Sequence, residues 1–390
     1  MSLDIERTGD GLSSVACSNS STTNGTDHHR SNLPLKSLIA EQQLLLINGV
    51  VFAIGVVSGP LLIRLYFLYG GNRKWISACL QTFGFPMLVI PISILYLSHR
   101  RRWSSSSSSS SDHNKFLISP KFLLSAVVLG LLNGACNLIY TLGLSFLPVS
   151  TSSLLFSTYL AFTCFFALFI VRHSFTPYSI NAILLMTLAS VLLGIGQDKD
   201  RPVGVTDPQY LLGFLFTLAA AALIGFINPC TEVAFTKVAT NINYSSVLQF
   251  QFCSAFASTL FCTVGMIINK DFSAMPREAR EFGLGESEYY LLLASTAVAW
   301  QLSSIGFVGL IFCASSVTTG VFGATLVPVT EVAAVIVYHE KFSGEKGVSL
   351  ALCVWGFASY LYGSYMETKK QSIYIGVQNE FQSHEHQLPC

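Results

Sequence analysis

Two acidic residues stand inside long apolar stretches: Glu331 in VPVTEVAAVIVYHE and Glu232 in INPCTEVAF. An ionised group at a bilayer centre costs about 2.5–3.5 kcal/mol on insertion scales, so a carboxylate kept there serves a proton, a substrate or a polar partner. Glu331 reads as a proton-carrying or substrate-binding group, with a structural bond to a nearby Ser or Thr as the rival role. Glu232 stands closer to a helix end and is open between proton coupling and a solvated terminus. Amides and aromatics complete the set. Asn133, Asn137 and Tyr140 fall on one helical face by their spacing. Tyr159 follows on the next span, then Asn228 beside Pro229, and Trp300 with Gln301. Amides can meet ring nitrogens in donor–acceptor pairs, and Trp or Tyr offers a stacking surface. The chemistry is recognition of a flat, neutral heteroaromatic molecule. An anionic substrate would call for Lys or Arg within the spans, where none clearly lies. Taken singly, each amide also fits an ordinary interhelical hydrogen bond.

Enzymatic and metal motifs are missing. The sequence has no HExxH, no phosphate-cradling glycine loop and no nucleophile elbow. Its 10 cysteines form no CxxC pair, so neither a metal centre nor a disulfide framework is expected. No cofactor is implied, and the chain does not read as an enzyme. A net charge of +1 supplies no basic stripe for nucleic acid.

The elements that must position these groups follow from composition. Of 390 residues, 51% are hydrophobic and 11% charged, against about 25% charged in ordinary soluble domains. Too little polar surface remains to cover a water-soluble globule of this length, so the chain is an integral, multi-pass membrane protein. Apolar runs long enough to span a bilayer fall near 42–66, 75–98, 119–145, 150–172, 178–196, 209–237, 244–269, 289–313, 315–338 and 346–366. The expected architecture is all-α, with ten transmembrane helices in a domain over 41–366. A polar, disordered tail (1–40) precedes it and a polar tail (367–390) follows. Lys and Arg divide almost evenly between the two sides. The cluster Arg100–Arg101–Arg102, followed by a serine run, is the best single indicator of a cytoplasmic N-terminus.

Shifted by 166 positions, GLSFLPVSTSSLLF (143–156) falls on GLIFCASSVTTGVF (309–322), and ten identities accumulate in 31 ungapped positions. Unrelated apolar stretches should match at roughly one position in ten. Five spans separate the copies, an odd number, so the second copy is inverted in the membrane: a five-plus-five inverted repeat, 41–197 and 208–366. Inverted repeats are a common construction of secondary transporters, with substrate held near the midplane between the halves. The first helix of each half carries a glycine followed by proline mid-span, AIGVVSGP (53–60) and LIGFINPC (223–230). Gly55, Gly59, Pro60 and Pro229 are therefore candidate helix breaks or hinges facing a cavity. Close helix packing across the Gly55–Gly59 GxxxG face is the competing reading.

NGACNLIYTLGLSFLPVSTSSLLFSTYLAF (133–162), FTPYSINAILLMTLASVLLGI (175–195) and the stretch 306–365 resemble the plant purine permease family of the drug/metabolite transporter superfamily. The resemblance runs from about 42 to 366. It implies ten helices with cytoplasmic termini, the family's VPVTE segment at Val327–Glu331, and proton-coupled uptake of adenine-like purines at the plasma membrane, with cytokinins as related substrates. The chain departs from the family pattern at Tyr159, where a Gln is expected before Leu160, and that leaves the ligand preference open. Two other readings stay on the table: an exchanger of nucleotide sugars or phosphorylated metabolites, and a membrane sensor that binds cytokinin without moving it. The oligomeric state is not legible.

Overall fold

The computed structural model describes residues 35–105, 119–147, 152, 155–156, 158–172, 176–195, 206–239, 242–338 and 344–385. Among these, every regular element is helical: α1 (Leu35–Leu68), α2 (Lys74–Leu80), α3 (Val89–Ser105), α4 (Pro120–Leu144), α5 (Tyr159–Ile170), α6 (Pro177–Ile195), α7 (Asp207–Val233), α8 (Tyr244–Ile268), α9 (Asp271–Glu281), α10 (Glu286–Cys313), α11 (Ser316–Tyr338) and α12 (Gly344–Glu385). Seven stretches of the described chain are long and apolar enough to cross a membrane, the α2–α3 stretch Lys74–Leu97 among them. Three further apolar helices, Tyr159–Ile170, Pro177–Ala189 and Gly347–Gly363, are shorter. Ser119 accepts from the Phe122 N–H at 3.4 Å to start α4, and Asn243 accepts from the Ser246 N–H at 2.8 Å to start α8, each satisfying a donor the first turn leaves orphaned.

The surface is apolar and the interior carries the amides, the reverse of a water-soluble protein. Ile90, Ile94, Leu184, Leu188 and Trp355 are exposed, whereas Asn48, Gln81, Asn228 and Gln301 are buried.

Helix pairing is organised by glycine. Helix α1 runs along α10, and α4 along α7, so the first helix of one expected half lies on the third of the other, twice. A Cβ on Gly55 would come within 2.5 Å of the Ala299 carbonyl, and one on Gly306 within 2.6 Å of the Asn48 carbonyl. Each of these helices thus uses a glycine to bring its backbone against its neighbour's, the close-packing geometry of small residues in membranes.

The helices differ from the expectation in where they break. Both α1 and α7 continue without interruption through Pro60 and Pro229. A π-helical turn over Ala234–Val238 follows α7. The interrupted span is the second: α2 stops at Leu80, and a 3₁₀ turn over Phe85–Leu88 precedes α3. Gly84 and Pro86 explain it, since glycine gives up helix propensity and proline removes the N–H that would close the turn. At the other end of the chain, α12 continues past 366 to Glu385, so one helix crosses the expected tail boundary.

Candidate substrate site

Helix α10 carries Trp300 and Gln301 at mid-length, and two glycines seat them. A Cβ at Gly59 of α1 would lie 2.8 Å from Cε2 of the Trp300 indole. The Gln301 stem lies against Gly84, in the break of the second span. Gln301 is fully buried, and neither Nε2 nor Oε1 has a hydrogen-bond partner among the described residues. The Trp300 Nε1–H is buried and, among the described residues, unpartnered as well. The Gln301 amide offers a donor and an acceptor, and one residue before it the Trp300 indole offers a face and a donor, the kinds of group that can read the edge and plane of a heteroaromatic ring.

About 10 Å further along the same helical face, Phe307 packs on Phe52 of α1, with ring centroids 5.5 Å apart. Phe52 also lies 6.0 Å from Phe322 of α11. Tyr159 is buried and donates its hydroxyl hydrogen to the Gly320 carbonyl at 3.0 Å, tying α5 to α11. Phe156 bridges Tyr140 of α4, 4.6 Å away, and Tyr159, 5.6 Å away. Tyr140, Phe156, Trp300 and Phe307 belong to one hydrophobic cluster with Ile63, Ile227 and Ile311.

The remaining sequence candidates divide. Asn228 is fully buried on α7, and its amide donates to Thr163 of α5 at 3.3 Å while Oδ1 has no partner among the described residues. Asn133 and Asn137 are half-buried on α4, with no side-chain hydrogen bond to any described residue; the Asn137 carbonyl accepts from Thr141 at 2.8 Å. Glu232 is not grouped with Trp300. Its Oε2 accepts from the Ser316 N–H at 2.8 Å and so caps the first turn of α11, where an anion is favoured by the helix dipole. Glu331 lies on α11, but its side chain is outside the described residues. Gly55 faces Ala299 and Ser303 of α10, in packing contact.

Sequence reading passed over Gly84, Phe52, Phe307 and Thr163. For Gly84 there was a signal, since GFP inside an apolar run marks a break. For Phe52 and Phe307 there was none, because an aromatic in an apolar helix is indistinguishable from lipid-facing bulk until its neighbour is known.

A family model described as purine nucleobase transmembrane transport matches residues 43–370. Purine permease 3 of Arabidopsis thaliana is 45% identical over 320 residues, covering 82% of this chain and 90% of that protein. Purine permease 2 of the same plant is 43% identical over 338 residues, covering 84% and 93%. Probable purine permease 5 is 36% identical, covering 82% and 86%.

Proposed function

The chain belongs to the purine permease family, multi-pass membrane proteins of purine nucleobase transport, and we propose that it imports adenine-like purines and adenine-type cytokinins together with protons, by alternating access at the plasma membrane. The observation that carries this reading is the buried amide of Gln301, unpaired among the described residues, with the unpaired Trp300 indole one residue before it on α10. Each unmet end of a buried amide costs about 1–3 kcal/mol. Such an arrangement is retained where a ligand supplies the complementary donor and acceptor, and a purine edge offers both. Trp300 would then stack on the ring, with Tyr140, Asn133, Asn137 and Asn228 lining the approach.

Alternating access is supported by the swap of partners between halves, α1 on α10 and α4 on α7, which matches the inverted repeat read from the 166-residue shift. Two related bundles that clasp each other reciprocally can rock about a shared site. In this reading Glu331 carries the coupled proton. Glu232 is the second proton-coupling candidate, through the cap it places on α11, the helix that carries Glu331 and holds Tyr159.

The test is uptake of labelled adenine and zeatin by transport-deficient cells expressing the chain, with and without a proton uncoupler. Saturable uptake that the uncoupler abolishes is expected. In Glu331→Gln, residual uptake should be indifferent to the uncoupler; a variant that stays fully uncoupler-sensitive removes the proton role from Glu331.

A further inference from the structure

At one end of α10, outside the spans, the turn between α1 and α2 meets the α8–α10 connection in a cluster that substrate binding does not use. Arg73, before α2, approaches Asp271 at 3.5 Å and Glu278 at 3.4 Å. Tyr66 of α1 donates to Glu278 and accepts from the Arg73 backbone N–H at 3.1 Å. Tyr289 of α10 reaches the same Glu278 oxygen at 3.5 Å. Asn269 donates to Asp271 Oδ1 at 2.8 Å. The Asp271 side chain is fully buried, yet its Oδ2 has no partner among the described residues. Lys270, next to it, makes no ion pair with it among the described residues. Two carboxylates therefore share one guanidinium, and with both ionised the cluster carries a net negative charge. Tyr66, Phe282 and Tyr289 wall it with rings: Tyr66 lies 6.5 Å from Phe282 and Phe282 lies 5.2 Å from Tyr289.

We infer that Asp271 is a proton-binding site that clasps this end of the molecule: a proton taken from the solution on this face favours the arrangement in which α9 closes over the α1–α2 turn. A carboxyl sealed from water with one bare oxygen is held more comfortably neutral than charged. Burial pushes the Asp271 carboxyl above the usual carboxylate range, against the opposing pull of Asn269 and Arg73. Opening the clasp would hydrate the group and return it to an ordinary acid. By linkage, acid favours the state that binds the proton better. The extra stability of the clasp is thus present at low pH and lost as pH rises through the clasped-state value. Gly55 and Gly306 bring the backbones of α1 and α10 into close contact, and at this end of the molecule the opening is assigned to α9 and the α1–α2 turn. The inference rests on the carrier reading for its role in a transport cycle, but not for the clasp itself.

Thermal unfolding of the full-length protein in detergent, followed between about pH 4 and pH 8, reads the site without transport. The wild-type midpoint relative to Asp271→Asn should rise as pH falls. In Arg73→Gln, which removes a charge that favours the ionised acid, the inflection should move to higher pH. Should Asp271→Asn fail to fold, Asp271→Glu keeps a titrating acid and should keep the inflection, while Arg73→Gln still tests its direction. In cells, Asp271→Asn should flatten the dependence of adenine uptake on the pH of this face. Parallel melting curves for wild type and Asp271→Asn, or an inflection that moves to lower pH in Arg73→Gln, overturn the inference. A wild-type chain that moves no purine sinks the carrier reading alone, and the melting curves still decide the clasp.

Discussion

Replacing Gln301 with methionine should strengthen the empty protein and weaken its hold on substrate, two effects of opposite sign from one change. Methionine matches glutamine in length and is unbranched, so the stem lying against Gly84 is preserved. It removes a fully buried donor and acceptor that the protein leaves unpaired. With each unmet group costing about 1–3 kcal/mol, and part of that relieved by small relaxations, Gln301→Met should gain about 1–3 kcal/mol in the ligand-free state. On the substrate side, a two-point contact at about 0.5–1.5 kcal/mol per hydrogen bond is lost, which weakens purine binding about five- to 150-fold. Thermal unfolding of the purified protein measures the first effect, and equilibrium binding of labelled adenine the second. A variant that melts lower than wild type while binding adenine normally would refute the reasoning, because Gln301 would then be a structural group whose partners form in the folded resting state.

Two further changes probe the frame around the site. Gly306→Ala places a methyl against the Asn48 carbonyl and the backbone of Phe52; neither can yield as a side chain would, so a loss of about 1–3 kcal/mol is expected, visible as reduced folded yield and a lower melting midpoint. Glu232→Ala removes the acceptor that caps Ser316 and should cost about 0.5–2 kcal/mol, whereas Glu232→Gln keeps an oxygen for the Ser316 N–H and should recover most of the melting midpoint. If Glu232→Gln melts as low as Glu232→Ala, charge on the helix dipole rather than the hydrogen bond holds α11.

Much of the fold was legible because membrane residence is written locally. Apolar length, the scarcity of charge and the polar ends mark a span without reference to any other segment. Trp300 and Gln301 could be singled out for the same reason, being polar or amphipathic where lipid demands otherwise. The breaks were less legible. Proline in α1 and α7 drew attention, yet both helices stay intact, and the interruption falls at Gly84–Pro86, where glycine and proline act together within three residues. Asp271 and Glu278 looked like ordinary loop charges, because nothing in their own segment reveals that Arg73, far away in the chain, would be shared between them.

By itself the sequence determined that this chain is a multi-pass membrane protein, and it singled out the amides and aromatics that stand in its apolar stretches. Tertiary structure alone decided which of those groups is satisfied: Glu232 found the head of α11, Tyr159 found a glycine carbonyl, and the Gln301 amide found no hydrogen-bond partner among the described residues. The physical reason is that burial is a property one segment can declare, whereas a hydrogen bond or a glycine seat exists only when two distant segments meet.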